Sequence, residues 1–429
     1  MKLNRARRIT VLVTATAVMA GTAACGGNDS GGDSATGTIS FTWWGGDDRA
    51  EKYQQAVALF EKANPDIKVK TSFTDFPNYW TARSTEAAGR ALPDVMQMDL
   101  SYLREYSENG HLADLSQFSD IDTSGFDEAQ LQAGTVDDEL LGLSAGTNTF
   151  ALFVNPALIE KAGVEPLPED YTWEQYNDWI LEVAAKGVKT EDGQPIVGSG
   201  DYRGALWIFI QWLVQKGVDP YTDDGQIAFT QDHIREWLAL GEAPDTAKAF
   251  ASASRTTQLK PKSPFLVSEQ ATELNWDNFT ASYITDMDTE VELMPVPTGA
   301  NGSKEMFWKP SMLLSISNNS EHKTAAAKLT DFLTTDPEVG KIFGNSRGVP
   351  SNQAQRDAVV SEEGSADALT TAYEKDVADS VTAETPIPIK GFGSLEATWL
   401  TLSEDLAYDK ISPDEFVEQF WAEAQQATQ

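Results

Sequence analysis

Apolar and polar residues alternate where the folded part of the chain begins. Ile39, Phe41 and Trp43 are separated by Ser40 and Thr42, with Thr38 ahead of them. A period of two predicts a strand. Trp44-Gly45-Gly46-Asp47-Asp48 ends it. Tyr53, Ala56, Val57 and Phe60 then fall on one face of a helix, which Asn64-Pro65-Asp66 stops. Ile67, Val69, Thr71 and Phe73 alternate again. A second helix is predicted from about Tyr79 to Gly89, and Pro93 to Asp99 reads as a short buried strand. Strands and helices in turn predict a parallel sheet with helical crossovers. Ligands of such sheets bind at the carboxyl ends of the strands. Those ends are Trp43 to Asp47, Phe76 to Trp80, and Asp99 to Tyr102.

The segment ahead of this pattern has a different character. Lys2, Arg5, Arg7 and Arg8 precede Ile9 to Ala24, which carries no charge. Small residues then surround Cys25, the single cysteine of the chain. A positive start, a short apolar run and a small-residue cleavage site predict a secretory signal peptide over residues 1–24. The run is shorter than the ~18–20 residues that span a bilayer. A cysteine just after the cut resembles a lipobox, which implies a lipid anchor on Cys25; Thr22 stands where that motif usually has Leu. Asn28 to Gly37 is Gly, Ser, Asp and Thr with almost nothing apolar, so residues 25–37 are expected to be a flexible tether. Beyond it, no stretch is apolar enough for a membrane span.

Charge narrows the partners. The formal net charge is −34, and removal of the four basic leader residues takes it to −38. Such a chain is a poor partner for nucleic acid, which is bound by Lys and Arg neutralising phosphates. With its cysteine used as an anchor, the chain forms no internal disulfide. Its core must hold the fold, and its length predicts two domains.

The run from Ile39 to Asp99 resembles the opening of the extracellular solute-binding proteins of family 1. These are the maltose-binding-protein-like, sugar-binding lipoprotein subunits of bacterial ABC importers. The matching residues are Phe41-Thr42-Trp43-Trp44, Phe60 to Val69 and Leu92-Pro93-Asp94-Val95. Gly142 to Thr149, Leu152 to Leu158, Lys161 to Val164 and Tyr171 to Glu174 continue the likeness, and Met312 to Pro350 completes it in the same order. Ser144 stands where the family often has Pro. The resemblance implies an α/β fold of two lobes, each a mainly parallel sheet flanked by helices, with a ligand cleft between them. Crossings between lobes are expected near Thr149–Phe153, Glu292–Pro295 and Gly348–Pro350. The first lobe is then 38–150 with 292–347, and the second 151–291 with 348–429. The implied role is capture of a carbohydrate and its delivery to ABC permease subunits, by a monomer without cofactor that meets the membrane only through its lipid anchor.

The candidate ligand residues follow from sugar chemistry. Sugar rings have apolar faces for aromatic stacking and hydroxyl rims for Asp, Asn, Gln or Arg. Twelve tryptophans supply the first need, and each equally suits a core. Trp43 and Trp44 point to opposite sides of their strand, so one faces the cleft and the other packs. Trp80 ends the second loop. Trp276 precedes Asp277-Asn278 in a segment resembling the family's second-lobe ligand segment. Trp207 follows the loop Gly200 to Gly204, Trp308 adjoins Lys309, and Phe392 lies between glycines. Asp47, Asp99, Asn148, Asp201 and Asp277 are the polar candidates, each of which also suits a cap or turn.

The main rival is an exported glycoside hydrolase, since acid pairs and tryptophans are its tools as well. No eight-fold strand–helix period and no Gly-x-Ser-x-Gly elbow is present. His111, His233 and His322 are far apart, so no metal site is indicated. A two-lobe binder of another solute, such as a peptide, remains open on composition.

Overall fold

The computed structural model describes residues 34–287 and 289–427. The expected signal peptide and Cys25 lie outside the described residues. The folded body starts slightly earlier than expected: the Ser34 amide donates to the Glu321 carbonyl, and Gly37 already pairs with Ile67.

The alternating segment forms β1 (Gly37–Trp44), which pairs in parallel with β2 (Ile67–Thr74) and β3 (Val95–Met98). Helix α1 (Asp47–Ala63) buries Tyr53, Ala56, Val57 and Phe60, the face its spacing predicts. Helix α2 (Phe76–Ala88) and helix α3 (Leu100–Glu108) follow β2 and β3. Two later strands complete this first sheet. Lys309–Ile316 runs antiparallel to β3 and to Leu143–Asn148, giving five strands in all.

A second sheet of four strands holds Glu292–Met294, Phe150–Val154, Gln270–Trp276 and Val197–Ser199 in that order. It departs from the expected parallel arrangement. Phe150–Val154 is antiparallel to both its neighbours, and only Val197–Ser199 with Gln270–Trp276 is parallel. The reason is the path of the chain: a strand that arrives from the other lobe need not run the way a helical crossover would impose.

Pairing also relocates two crossings. The first falls at Thr149, which alone separates Leu143–Asn148 of one sheet from Phe150–Val154 of the other. The second is at Trp308, not at Glu292–Pro295, since Glu292–Met294 is an edge strand of the second sheet. Gly348–Pro350 stays with the first lobe. Val349 exchanges backbone hydrogen bonds with Thr147 at 2.8 and 3.1 Å, and the helix Gln353–Ala358 packs on Pro337–Phe343. The return follows it, because the helix Ala366–Val377 places the Tyr373 hydroxyl 2.5 Å from the Phe150 carbonyl. Residues 292–307 therefore belong to the second lobe and 348–358 to the first. An extended apolar segment reads alike as edge strand or as crossing; its pairing partner decides.

The two faces of the first sheet have different fates. Ile39, Phe41, Trp43, Val95, Leu314 and Ile316 are sealed under α1 and the helices Lys323–Thr335 and Pro337–Phe343. The other face carries Met96, Met98 and Leu313, joined by Trp80 of α2, into the larger apolar cluster that continues through the second lobe.

Candidate ligand site between the lobes

Alternation along β1 sorts its two tryptophans. Trp43 is fully buried among Tyr53, Phe41 and Phe73, with ring centroids 4.6, 5.0 and 5.7 Å away, so it is core and leaves the candidate site. Trp44 points the other way and is half-buried beside Phe76, Tyr79 and Trp80 at 5.4, 5.4 and 6.1 Å. Trp80 stacks on Tyr102 at 3.7 Å. Phe76, Pro77, Thr81 and Ser84 join these two rings around a cavity of about 400 Å³. Asp47 stands exposed in the first turn of α1, where its charge suits the helix dipole, and no described contact ties it to the other candidates.

Asp99 caps α3 by accepting from the Ser101 amide at 2.9 Å. Its second oxygen lies 3.8 Å from the Lys309 ammonium. Lys309 opens the strand just after the second crossing, and it is buried. Its ammonium is also 5.3 Å from the Trp207 ring and 5.6 Å from the Trp276 ring, close enough for cation–π attraction. Trp276 is half-buried, stacks on Phe150 at 3.8 Å and meets Trp207 edge-on at 6.0 Å. One lysine thus joins an acid of the first lobe to two indoles of the second.

The second lobe adds Glu396, on the helix Phe392–Ala407. Gly393 of that helix lies so close to Tyr102 that a Cβ there would stand 3.0 Å from the phenol oxygen. Glu396 is three residues on, hence on the same helix face. Burial, reinforced by the charge of Asp99 and opposed by Lys309, pushes its carboxyl up to about 7.

Several expected ligand groups are engaged elsewhere. Asp201 caps a short turn and holds Arg203 through two hydrogen bonds of 2.8 and 2.7 Å, leaving it a structural anchor. Asp277 is fully buried at the first crossing. It accepts from the Thr149 amide at 3.1 Å, and its own amide donates to the Thr149 carbonyl at 2.9 Å. Burial raises its carboxyl to about 7, and the neighbouring Glu374 is raised by burial and by Asp277. Asn148 is buried against Gly348, whose φ of +81° and missing side chain permit the approach. Phe392 is buried between Trp207 and Tyr221 at 5.1 and 6.1 Å, so it supports Trp207 from behind. Trp308 is half-buried, its carbonyl accepts from the Thr385 hydroxyl at 2.5 Å, and it stacks on no described ring.

The family pattern of bacterial extracellular solute-binding proteins matches residues 46–339. The chain belongs to that family. The arabinooligosaccharide-binding protein of Bacillus subtilis (strain 168) is 25% identical over 230 residues, which cover 52% of this chain and 50% of that one. The matched stretch thus spans about half of that curated relative. A family 1 extracellular solute-binding protein from Alicyclobacillus acidocaldarius superposes with a TM-score of 0.70 at 25% identity, covering 92% of this chain and 99% of the other. An oligogalacturonide-binding protein from Yersinia enterocolitica, in complex with saturated digalacturonic acid, shares the fold with a TM-score of 0.76 at 21% identity, over 91% of this chain and all of that one.

In this solute-binding protein a second, larger cavity of about 1110 Å³ also opens between the lobes. The first lobe lines it with Arg104 and the turn Thr135 to Asp138, the second with Val218 to Asp223 and Thr382 to Ile387. Tyr221 is its one aromatic side chain, so volume and stacking chemistry do not coincide; the indoles gather around Lys309 instead. Arg104 donates to the Asp223 carbonyl at 3.3 Å and lies 3.8 Å from Asp137, which ties α3 to the second lobe.

Tyr102, Lys309 and Glu396 are the site groups that sequence reasoning passed over. Tyr102 had a signal, since it closes the third strand end three residues after Asp99. Lys309 had a weaker one, beside Trp308. Glu396 had none, being one acid in an amphipathic helix far along the chain.

Proposed function

We propose that this solute-binding protein captures a saccharide in the cleft around Lys309 and presents it to the permease of an ABC importer. The observation that carries the reading is the meeting of both lobes at Lys309, with Asp99 on one side and Trp207 and Trp276 on the other. Indoles offer apolar planes to sugar rings, and the acids and the ammonium offer hydrogen bonds to hydroxyls. The oligosaccharide-binding names of relatives in Bacillus subtilis support the same class of ligand. No covalent step is part of this role. Ligand held by both lobes favours the closed arrangement by its extra contacts there, through bending at the crossings. The family is extracellular, so the chain is an exported one. Signal-peptide cleavage and a lipid on Cys25 complete the proposal, keeping a monomeric binder beside its permease. Cys25→Ala should then release the protein from membranes or leave it uncleaved.

The test is a thermal-shift screen against arabino- and galacto-oligosaccharides, followed by calorimetry and product analysis. A binder's melting temperature rises with ligand concentration by mass action, and the sugar is recovered intact. Cleavage at catalytic turnover would replace this reading with the hydrolase. Stabilisation by peptides alone would replace it with a peptide binder.

A further inference from the structure

We propose that Glu396 is a specificity-determining residue that makes the cleft take uncharged saccharides and turn away acidic ones. The inference rests on the saccharide reading above and adds the charge of the ligand. Its basis is the arrangement of charge where the lobes meet. Tyr102 and Gly393 bring α3 and the helix Phe392–Ala407 together, so Glu396 faces the capped end of α3 where Asp99 sits. Asp99 of one lobe approaches the Lys309 ammonium at 3.8 Å, and Glu396 of the other lobe lies within electrostatic reach of both. The nearest arginine on α3, Arg104, is turned to Asp137 and the Asp223 carbonyl. Of the two cations that meet α3 here, Lys309 is held by Asp99 and Arg104 by Asp137, and a sugar carboxylate needs Arg or Lys donors of its own.

Burial sharpens the effect. Like charges repel strongly where water is scarce and salt cannot screen them. Burial first, and the charge of Asp99 second, displace the Glu396 carboxyl upward, so a further negative charge at this spot is disfavoured on both counts. A uronate bound there would be a third carboxyl group at one ammonium. A neutral sugar brings only hydroxyls, which donate to Asp99 and Glu396 and accept from Lys309. Specificity here comes from an element that repels the wrong ligand as well as from groups that attract the right one.

The experiment uses two disaccharides of one skeleton, digalactose and digalacturonic acid, which differ in hydroxymethyl against carboxylate. Their affinities are measured by calorimetry at pH 7.5 on the parent protein, Glu396→Gln and Glu396→Lys, with melting temperatures taken as the check on folding. The expected result is a preference of the parent for digalactose. That preference should shrink at least tenfold in Glu396→Gln and further in Glu396→Lys. Equal or tighter binding of digalacturonic acid by the parent overturns the proposal, and so does a ratio unchanged in both variants. Binding of neither disaccharide by any of the three proteins overturns it too. The arabino- and galacto-oligosaccharide melts then show separately whether the saccharide reading survives.

Discussion

Trp43 and Trp276 each lie at the carboxyl end of a strand, yet they belong to regions built for different ends. Behind the first sheet, Trp43 is enclosed by Phe41, Tyr53 and Phe73 and has no exposed surface. In the cleft, Trp276 leans on Phe150 and remains half-buried, with Lys309 near its ring. The first region holds a fold: every face of the ring meets protein with no ligand present. The second leaves part of a large flat surface uncovered beside charged groups, and that surface gains only when a ligand covers it. The neighbouring residues repeat the lesson in reverse. Trp44 beside Trp43 turns to the cleft, and Asp277 beside Trp276 turns inward to the crossing.

The largest effect should come from the sealed region. Trp43→Ala is expected to cost roughly 3–5 kcal/mol of stability, read by denaturant melts, with normal affinity in the folded fraction. Trp43→Phe should recover most of that loss, because the Trp43 indole nitrogen makes no hydrogen bond within the described residues. A mutant of unchanged stability would undo the contrast.

Trp276→Ala should behave the opposite way. A loss of about 2–4 kcal/mol in saccharide binding is expected, with a small change in melting temperature. A strongly lowered melting point with near-normal affinity would place Trp276 with Trp43 and empty the comparison.

Asp277 tests the crossing that joins the two regions. Its carboxyl is raised in the folded protein to about 7. The folded state therefore keeps a proton that the unfolded chain releases near pH 4. That contribution is complete below the unfolded value and is lost as pH rises to about 7. Asp277→Asn should reduce the loss, leaving the part that belongs to the buried Glu374, while still accepting from the Thr149 amide. Its melting point should exceed the parent's at pH 8, by up to about 4 kcal/mol in stability, with the gap closing towards pH 4. An equal gap at both pH values would contradict the assignment.

The smallest effect is expected from the contact between lobes outside the aromatic cluster. Arg104→Met removes the hydrogen bond to the Asp223 carbonyl and should weaken ligand binding by roughly 0.5–1.5 kcal/mol, mainly through faster release. Stopped-flow dissociation checks this. Faster association with unchanged release would mean that Arg104 does not hold the lobes together.

Local order decided much of this protein before any tertiary contact. The two-residue alternation of β1 and the helical spacing of Tyr53, Ala56, Val57 and Phe60 are properties of neighbouring side chains, and the strands and helices form where they predict. The same alternation made Trp43 and Trp44 opposites, though not which of them faced the ligand. That choice depends on which side of the sheet receives α1 and which receives α2. Glu292–Met294 shows the limit for strands: its extended pattern is real, and only pairing with Phe150–Val154 makes it an edge rather than a crossing. The site shows the limit for chemistry. Asp201 and Asp277 have the residue type and neighbours of ligand groups, but Arg203 and Thr149 claim them. Lys309 has only Trp308 beside it to mark it and Glu396 has nothing; both acquire their role from Asp99, more than two hundred residues away. Periodicity is short-ranged and survives in sequence; the sharing of one buried cation between two lobes is long-ranged, and only the folded chain brings it about.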